Sequence, residues 1–346
     1  MKKYLLPEGG KFYKVNMHNH TTLSDGEHTP EQIKEFYKEM GYSAVAFTDH
    51  GKIWDVSHLT DDEFVAISSY EYDMLNPNAI IDLDEYGVAD HFHLHEAIHI
   101  NFYAKDPTNL KMPCVNPNTK RYQSIVDDPK VEIVSTLENG KFDVETLNHV
   151  IAEHKKLGYL AVYNHPAWSL NNYELYANLK GFDGLELVNG ATYRSSDQEY
   201  VPLVFDQMLR QGERVVPVGG DDGHHPHHYG LAWTMVKADK LSYDSIIEGI
   251  EKGNCYMSTG PEIKEITVEG NKVTVKTSEA AGIIYTVMGR SHQYKIMEKG
   301  EEPVTEATFT IMPHHVYFRI TVRDTHGRRA NSRAYWLDEL DINFDA

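Results

Sequence analysis

Over the first two thirds of the chain, short apolar runs alternate with segments of helical spacing, and most of the runs end in a polar cluster. Residues 12–17 predict a strand. Thr29 before Pro30, with Gln32 three positions on, is a capping box opening a helix whose apolar face is Ile33, Phe36, Tyr37 and Met40; Gly41 closes it. Ala44–Phe47 is apolar throughout, as for a strand buried on both faces of a parallel sheet, and residues 64–68 repeat that pattern. Regularity is lost from Asp73 to Asn139, apart from an alternating strand at 98–103. It returns with Val144, Leu147, Val150, Ile151 and Leu157 on one face of a helix that Gly158 ends. Strands at 160–163, 184–188 and 215–218 and helices at about 201–210 and 243–252 continue the alternation.

Beyond Pro261 the helical spacing stops. Runs at 263–268, 272–277, 283–288, 308–311 and 316–322 are separated by turn sequences such as Glu269-Gly270-Asn271 and Met288-Gly289-Arg290. They predict a small antiparallel, β-sandwich-like unit. The expected division is an α/β catalytic unit over residues 1–260, with an insertion at about 73–140 over the rim of its site, and a C-terminal β unit over 261–346.

The polar clusters carry the chemistry. His18 and His20 sit two apart after the first strand, so both imidazoles reach one side, and Asp25 is near enough to serve a neighbouring ion. The next two strands run into Asp49-His50 and Glu71. Later ones meet Asn164-His165-Pro166, Asn189-Gly190, and Gly219-Gly220-Asp221-Asp222-Gly223-His224, where Asp222 and His224 are again two apart. In parallel α/β architectures ligands gather at the carboxyl ends of strands. Ordinary loop polarity would not place the same residue types at each exit. Imidazole with carboxylate, and no thiolate, suits zinc, manganese or iron. Within the irregular segment, His91, His93 and His95 read as solvated loop histidines, and His99, on its strand, is the better candidate ligand. His292, His314, His315 and His326 fall in the β unit and are expected to be structural or exposed.

Composition narrows the partners. The chain has 346 residues, 41% apolar, with 33 basic against 52 acidic residues for a net charge of −19. That balance disfavours nucleic acid and anionic membranes, yet leaves room for a small anionic substrate, because metal ions reverse the local sign. Two cysteines, Cys114 and Cys255, are too few for a disulfide framework and form no CxxC pair. With no run of about 20 apolar residues and no apolar signal segment after Lys2 and Lys3, a cytoplasmic location is expected.

Five stretches, residues 18–26 (HNHTTLSDG), 47–51 (FTDHG), 70–73 (YEYD), 163–166 (YNHP) and 219–224 (GGDDGH), resemble in order and spacing the successive motifs of the PHP (polymerase and histidinol phosphatase) family. Residues 229–234 and 254–261, with the terminal β region, are similar to its carbaryl-hydrolase-like branch. The resemblance implies a distorted (β/α)7 barrel holding two or three divalent metal ions (Zn, Mn or Fe). His18, His20, Glu71 and Asp222 would hold one ion, with Glu71 bridging. His99 and His165 would complete a second site, and Asp25, His50 and His224 would serve a third. Some members carry histidine where Asp25 stands, which leaves the number of ions open.

Such a centre would activate water. Asp222, His224 or His50 would move the proton, and Asp49 would orient a ligand histidine. The leading expectation is a phosphoesterase acting on a small phosphate ester. The alternative is a carbamate, amide or carboxylic ester hydrolase at the same metals. A noncatalytic metal-binding or polymerase-accessory role is disfavoured by the intact ligand set. Substrate contacts are assigned to Asn189 and to Arg194, whose guanidinium fork matches phosphate oxygens; the competing reading pairs Arg194 with Asp197 or Glu199 on the surface. Oligomeric state is left open.

Overall fold

The computed structural model describes residues 2–82, 93–119, 121–138, 140–340, 342 and 344. The site is carried by seven strands: β1 (Lys11–Asn16), β2 (Ala44–Phe47), β3 (Val65–Asp82), β4 (His93–Ala104), β5 (Tyr159–Tyr163), β6 (Gly184–Asn189) and β7 (Val216–Gly220). Strands β1 to β3 pair in parallel, as do β5 to β7, whereas β4 is antiparallel to both β3 and β5. Every residue of β2, β5, β6 and β7 is buried, which explains their mainly apolar runs, with Glu186 the charged exception in β6.

The seven strands bend until the first and last meet. Just past their ends, Asn19 and Gly223 form a parallel bridge. The His20 N–H donates to the Gly223 carbonyl at 3.1 Å and the Asp222 N–H to the His18 carbonyl at 2.9 Å. Along the same seam β8 (Trp233–Ala238), antiparallel to β1, wedges in; its Thr234 hydroxyl lies 3.0 Å from the Gly219 N–H and 3.2 Å from the Gly219 carbonyl. A side chain at Gly219 would strike Trp233 and Met257, and one at Gly220 would come within 2.5 Å of His18 Cβ. These glycines therefore serve the closure of the seam.

Helices cover the outside. Helix α1 (Pro30–Glu39) starts with the expected Thr29/Gln32 capping box and buries Ile33 and Tyr37. Asp143 caps α2 (Val144–Lys156), which buries Leu147, Val150 and Ile151. Helices α3 (Pro202–Arg210) and α4 (Tyr243–Glu251) follow. The architecture is mixed α/β. Its departure from seven regular βα units is the β3–β4 hairpin: β3 does not stop near Asp73 but continues to Asp82 and pairs back on β4, with Asp73 opposite His99. The expected irregular insertion thus begins as an extended two-stranded arm. His91 lies outside the described residues, as do the side chains of His93 and His95.

Several strands have no counterpart in the sequence pattern, among them β8, β9 (Cys255–Ser258) and those at Ser291–Ile296 and Arg329–Ser332. Strand β9 joins the ring to the C-terminal β region. There β10 (Ile263–Glu269), β11 (Lys272–Ala280), β12 (Gly282–Val287), β13 (Ser291–Ile296), β14 (Val304–Thr310), β15 (Tyr317–Arg323) and β16 (Arg329–Ser332) build two sheets. Strands β10, β11 and β14 form one with Lys3–Tyr4; β12, β13, β15 and β16 extend the large sheet through the pairing of Tyr256 with Ser332. Ile266, Val275, Tyr285, Phe309 and Ile320 fill the space between, joined by Leu5 and Leu6. Arg319 of β15 reaches across to α3 and grips Asp206 with both arms of its guanidinium, at 2.7 and 2.8 Å. Among the described residues no helix is long and apolar enough to cross a membrane.

Candidate metal centre

The ends of the strands bring the expected ligands to one place. His18 and His20 follow β1, and the loop holding them is braced by Asp49, whose carboxylate accepts from the Thr21 N–H (2.8 Å), the Thr21 hydroxyl and the Ser24 hydroxyl (2.7 Å). Glu71 lies three residues beyond the last β2–β3 pair, Phe47 with Ser68, so it stands level with the strand exits although its own strand continues. His99 enters from the middle of β4, which runs the opposite way and therefore offers its site-facing residue just before the stretch paired with β5 rather than after it. Asp222 adopts φ of 50°, a left-handed conformation disfavoured for any residue with a Cβ, which turns its carboxylate back toward the histidines.

Glu71 is at the centre. Its Oε1 is 3.1 Å from His99 Nδ1, 3.1 Å from His165 Nε2 and 3.4 Å from His18 Nε2; its Oε2 is 3.1 Å from His50 Nδ1 and 3.4 Å from His20 Nε2. Asp222 Oδ1 is 3.0 Å from His20 Nε2 and 3.4 Å from His18 Nε2. On the outer side Asp25 faces His50 at 3.5 Å and His224 at 3.6 Å. Four groups of donors, each within 4.8 Å of one another, result: His18, His20 and Asp222; His50, Glu71 and His99; His20, Asp25, His50 and His224; and His18, His165 and Glu186. All nine residues expected as ligands lie in these groups or touch Glu71.

The outer ring nitrogens are tied down, which leaves the inner ones free to bind. His18 Nδ1 faces Glu186 Oε1 at 3.0 Å, His165 Nδ1 faces the Ser169 hydroxyl at 3.0 Å, and His224 Nδ1 faces the Asp222 carbonyl at 2.9 Å. A proton on each Nδ1 leaves a lone pair on Nε2. Toward the centre, buried His50 Nδ1, His99 Nδ1 and Asp222 Oδ1 face Glu71 or His20 at 3.0–3.1 Å without hydrogen-bond geometry, so these contacts leave them unsatisfied. His18 Nε2 and His20 Nε2 point at each other across 3.2 Å. The residues fit divalent cations on all of these counts.

Charge tells the same story. Burial opposes a proton on His18, but Asp222, Glu71 and Glu186 outweigh it and hold its pKa well above the ordinary range; His20 is carried to about 10 by Asp222 and Asp25 against the same burial. Two such protons would repel across 3.2 Å, so one shared cation answers the surrounding carboxylates better. Burial and His20 together drop His50 to about 3. Despite their own burial, Glu71 and Asp222 are held well below the usual carboxylate range by the histidines, His18 foremost.

Three expected roles change in the structure. Asp49 braces the 21–24 loop, and the carboxylate that orients a ligand ring is Glu186. Asn189 is fully buried and holds Glu186 Oε2 (3.1 Å) and Asp222 Oδ2 (3.0 Å) with its amide, while its carbonyl caps the Gly190–Ser196 helix, so it supports the centre from behind. Arg194, on that helix, is exposed and borders a separate cavity with Arg328 and His326, lined by none of the ligands. Among the described residues it pairs with neither Asp197 nor Glu199. Glu199 is instead buried, accepting from the Trp168 N–H at 2.5 Å, and burial lifts its pKa to about 7. Glu186 was missed, although a charged residue inside the apolar strand Gly184–Asn189 is a legible signal. Asn164, which donates to Glu71 Oε1 at 2.9 Å, was passed over beside His165. The histidines of the β unit stay apart: His315 packs on the Tyr285 hydroxyl, and His292 is exposed.

Residues 16–112 match the family model for the PHP domain. No curated protein matches the chain. Among solved structures, it is similar to a two-domain protein from Bacteroides vulgatus containing a predicted PHP-like metal-dependent phosphoesterase, at 14% identity, over 97% of this chain and 98% of that one, with a TM-score of 0.44. It is also similar to an amidohydrolase from Chromobacterium violaceum, solved with bound sulfate and no metal, at 15% identity, over 61% of this chain and 88% of that one, with a TM-score of 0.36.

Proposed function

We propose that this chain, which carries a PHP domain over residues 16–112, is a metal-dependent hydrolase whose preferred substrate is a small phosphate ester. The observation that carries this reading is the convergence of five histidine rings on the two oxygens of buried Glu71, with inward nitrogens and oxygens left unsatisfied. We read the closed ring of seven strands as the distorted (β/α)7 barrel of that family, and residues 261–346 as a β unit without ligands. Divalent cations held by His18, His20, Asp25, His50, Glu71, His99, His165, Asp222 and His224 would lower the pKa of water and neutralise charge on the reacting oxygens.

The chain's own groups supply the rest. Asp25, Glu71, Glu186 and Asp222 bring four negative charges, which two divalent cations would balance and a third would outweigh; a centre no longer negative can take an anionic ester. His224 has its Nδ1 fixed by the Asp222 carbonyl and its ring partly open to solvent, so in a centre that leaves its Nε2 unligated that nitrogen can carry a proton to bulk water. Burial and the neighbouring His20 lower its pKa, which keeps it able to accept a proton at neutral pH. Glu186 and Asn189 hold His18 and Asp222 in place and exclude water behind them.

The test is a side-by-side assay of p-nitrophenyl phosphate, bis-p-nitrophenyl phosphate and p-nitrophenyl acetate with Mn2+ or Zn2+. Metal-dependent turnover of a phosphate ester well above that of the acetate is expected. Preference for the acetate would move the assignment to carboxylic ester, carbamate or amide hydrolysis, and no turnover of any of them would remove the hydrolase reading.

A further inference from the structure

Strand β3 outruns β2, so beyond the His50–Glu71 bridge its edge is open, and the insertion folds against that edge. Between them lies a cavity of about 540 Å³, within the size range of small-molecule pockets. Side chains from both faces of β3 border it, Tyr70 and Tyr72 from one and Asp73 and Leu75 from the other; Met112 and Ile125 of the insertion close the far wall. Asp73 and Leu75 share the face of Glu71. Gly51, also on the border, follows His50 and donates its N–H to the Glu71 carbonyl at 2.7 Å, and Asp73 Oδ1 is 3.9 Å from His50 Nδ1. The cavity therefore opens directly beside the metal centre.

Its wall is fixed and mostly apolar. Lys52 holds the Ser124 carbonyl at 2.8 Å and Asp128 at 3.0 Å, and Lys130 pairs with Asp55 at 2.8 Å, which pins the insertion to the loop after His50. The Tyr70 hydroxyl is engaged by His154, so it offers nothing to a polyol. Asp73, Asn116, Thr119 and Arg121 are the polar side chains on its border, and the apolar and aromatic remainder favours an aromatic ring over a polyol. At the mouth stands Arg121, against which a Cβ on Gly51 would press at 3.4 Å. Among the described residues its guanidinium has no hydrogen bond or ion pair, and a planar fork of that kind matches the oxygens of a phosphoryl group.

Resting on the hydrolase reading above, we propose that this cavity is the leaving-group pocket and that the substrates are aryl phosphate monoesters, the ring lying between Tyr72 and the insertion and Arg121 meeting a phosphoryl oxygen at the mouth. Hydrolysis forms a P–O bond to water and breaks the P–O bond to the aryl oxygen. The two water protons end on the released phenol and the phosphate.

Two measurements test it: kcat/KM for 1-naphthyl phosphate against methyl phosphate in the metal-loaded enzyme, and calorimetric binding of 1-naphthol and of inorganic phosphate to the protein as purified. Both are repeated in Leu75→Glu, an exposed position where folding is checked by circular dichroism, and in Arg121→Ala. The naphthyl ester should be preferred by at least about 10-fold, the scale on which apolar pockets discriminate. Leu75→Glu should weaken 1-naphthol binding by about 10-fold and reduce that preference, and Arg121→Ala should weaken phosphate binding but not naphthol binding. Hydrolysis of both esters without preference, with naphthol binding absent or indifferent to Leu75→Glu, would overturn the pocket and leave the hydrolase standing. Naphthol binding that Leu75→Glu weakens, in a protein that hydrolyses neither ester, would keep the pocket and overturn the hydrolase.

Discussion

Glu186 Oε1 lies 3.0 Å from His18 Nδ1, and both groups are shut away from solvent. The carboxylate's other oxygen accepts from the His165 N–H and from Asn189, so one side chain fixes a ring, a loop and the residue behind Asp222. Replacing it by glutamine puts an NH2 group against donors. Glu186→Gln is expected to cost about 10–100-fold in metal affinity while leaving the circular dichroism spectrum intact. A chelator-competition titration reads this directly, and unchanged affinity would show that His18 needs no such anchor.

The protein should carry at least two transition-metal ions per chain, and EDTA should abolish its activity. Because both oxygens of Glu71 face ligand rings, Glu71→Ala should lose more than one ion rather than a single one. Elemental analysis of both proteins decides the matter: no bound metal in the parent, with activity indifferent to EDTA, would end the metal reading.

How far the sequence could be read follows from which way each strand runs. Where a strand leads into the site, its ligands come just after an apolar run, and His18, His20, His50, His165 and Asp222 could be found from that alone. His99 lies on β4, which enters from the opposite direction, so its surroundings show no such motif. Glu71 could be placed but its strand's true length could not, because the continuation to Asp82 alternates little and pairs only with a distant partner. Arg194 follows β6 in the sequence, but the short helix capped by Asn189 sets it beside a separate cavity, which position after a strand does not reveal. Strand β8 was overlooked although its burial alternates strictly, since Trp233, Met235 and Lys237 make its outer face too mixed to stand out.

Glu199 gives a pH signature. Its carboxyl is raised by burial to about 7 from an ordinary value near 4.5. Below the unfolded value the group is neutral in both states and costs nothing. As pH rises through 4.5 to 7 the unfolded chain ionises first, so folding loses stability across that window, by about 3 kcal/mol at most, and no further above it. Glu199→Gln should remove this loss. Urea denaturation of the EDTA-treated proteins at pH 4.5 and 7.5 is expected to show the variant gaining on the parent as pH rises; a difference independent of pH would count against the assignment.

The clamp between Arg319 and Asp206 should matter for stability. Both are buried, and removing one partner leaves the other charge uncompensated. Arg319→Ala is expected to cost about 3–5 kcal/mol in denaturant unfolding, whereas the double replacement Arg319→Met with Asp206→Leu should come close to neutral. A single-variant loss below about 1 kcal/mol would mean that the pair is far more hydrated than its geometry indicates.

The bridge between Asn19 and Gly223 also governs timing. His18 and His20 are made with the first strand of the ring, while Asp222 and His224 come only after the last, and the neighbouring bond from the Asp221 N–H to Asn16 spans 205 residues. Pairings of such separation are among the slow events of folding. A nascent chain that has not yet released residues 222–224 from the ribosome holds seven of the nine expected ligands and no seam, so the full centre would form only on ring closure. Once loaded, an ion joining the first and last strands acts as a clasp that delays reopening rather than hastening assembly.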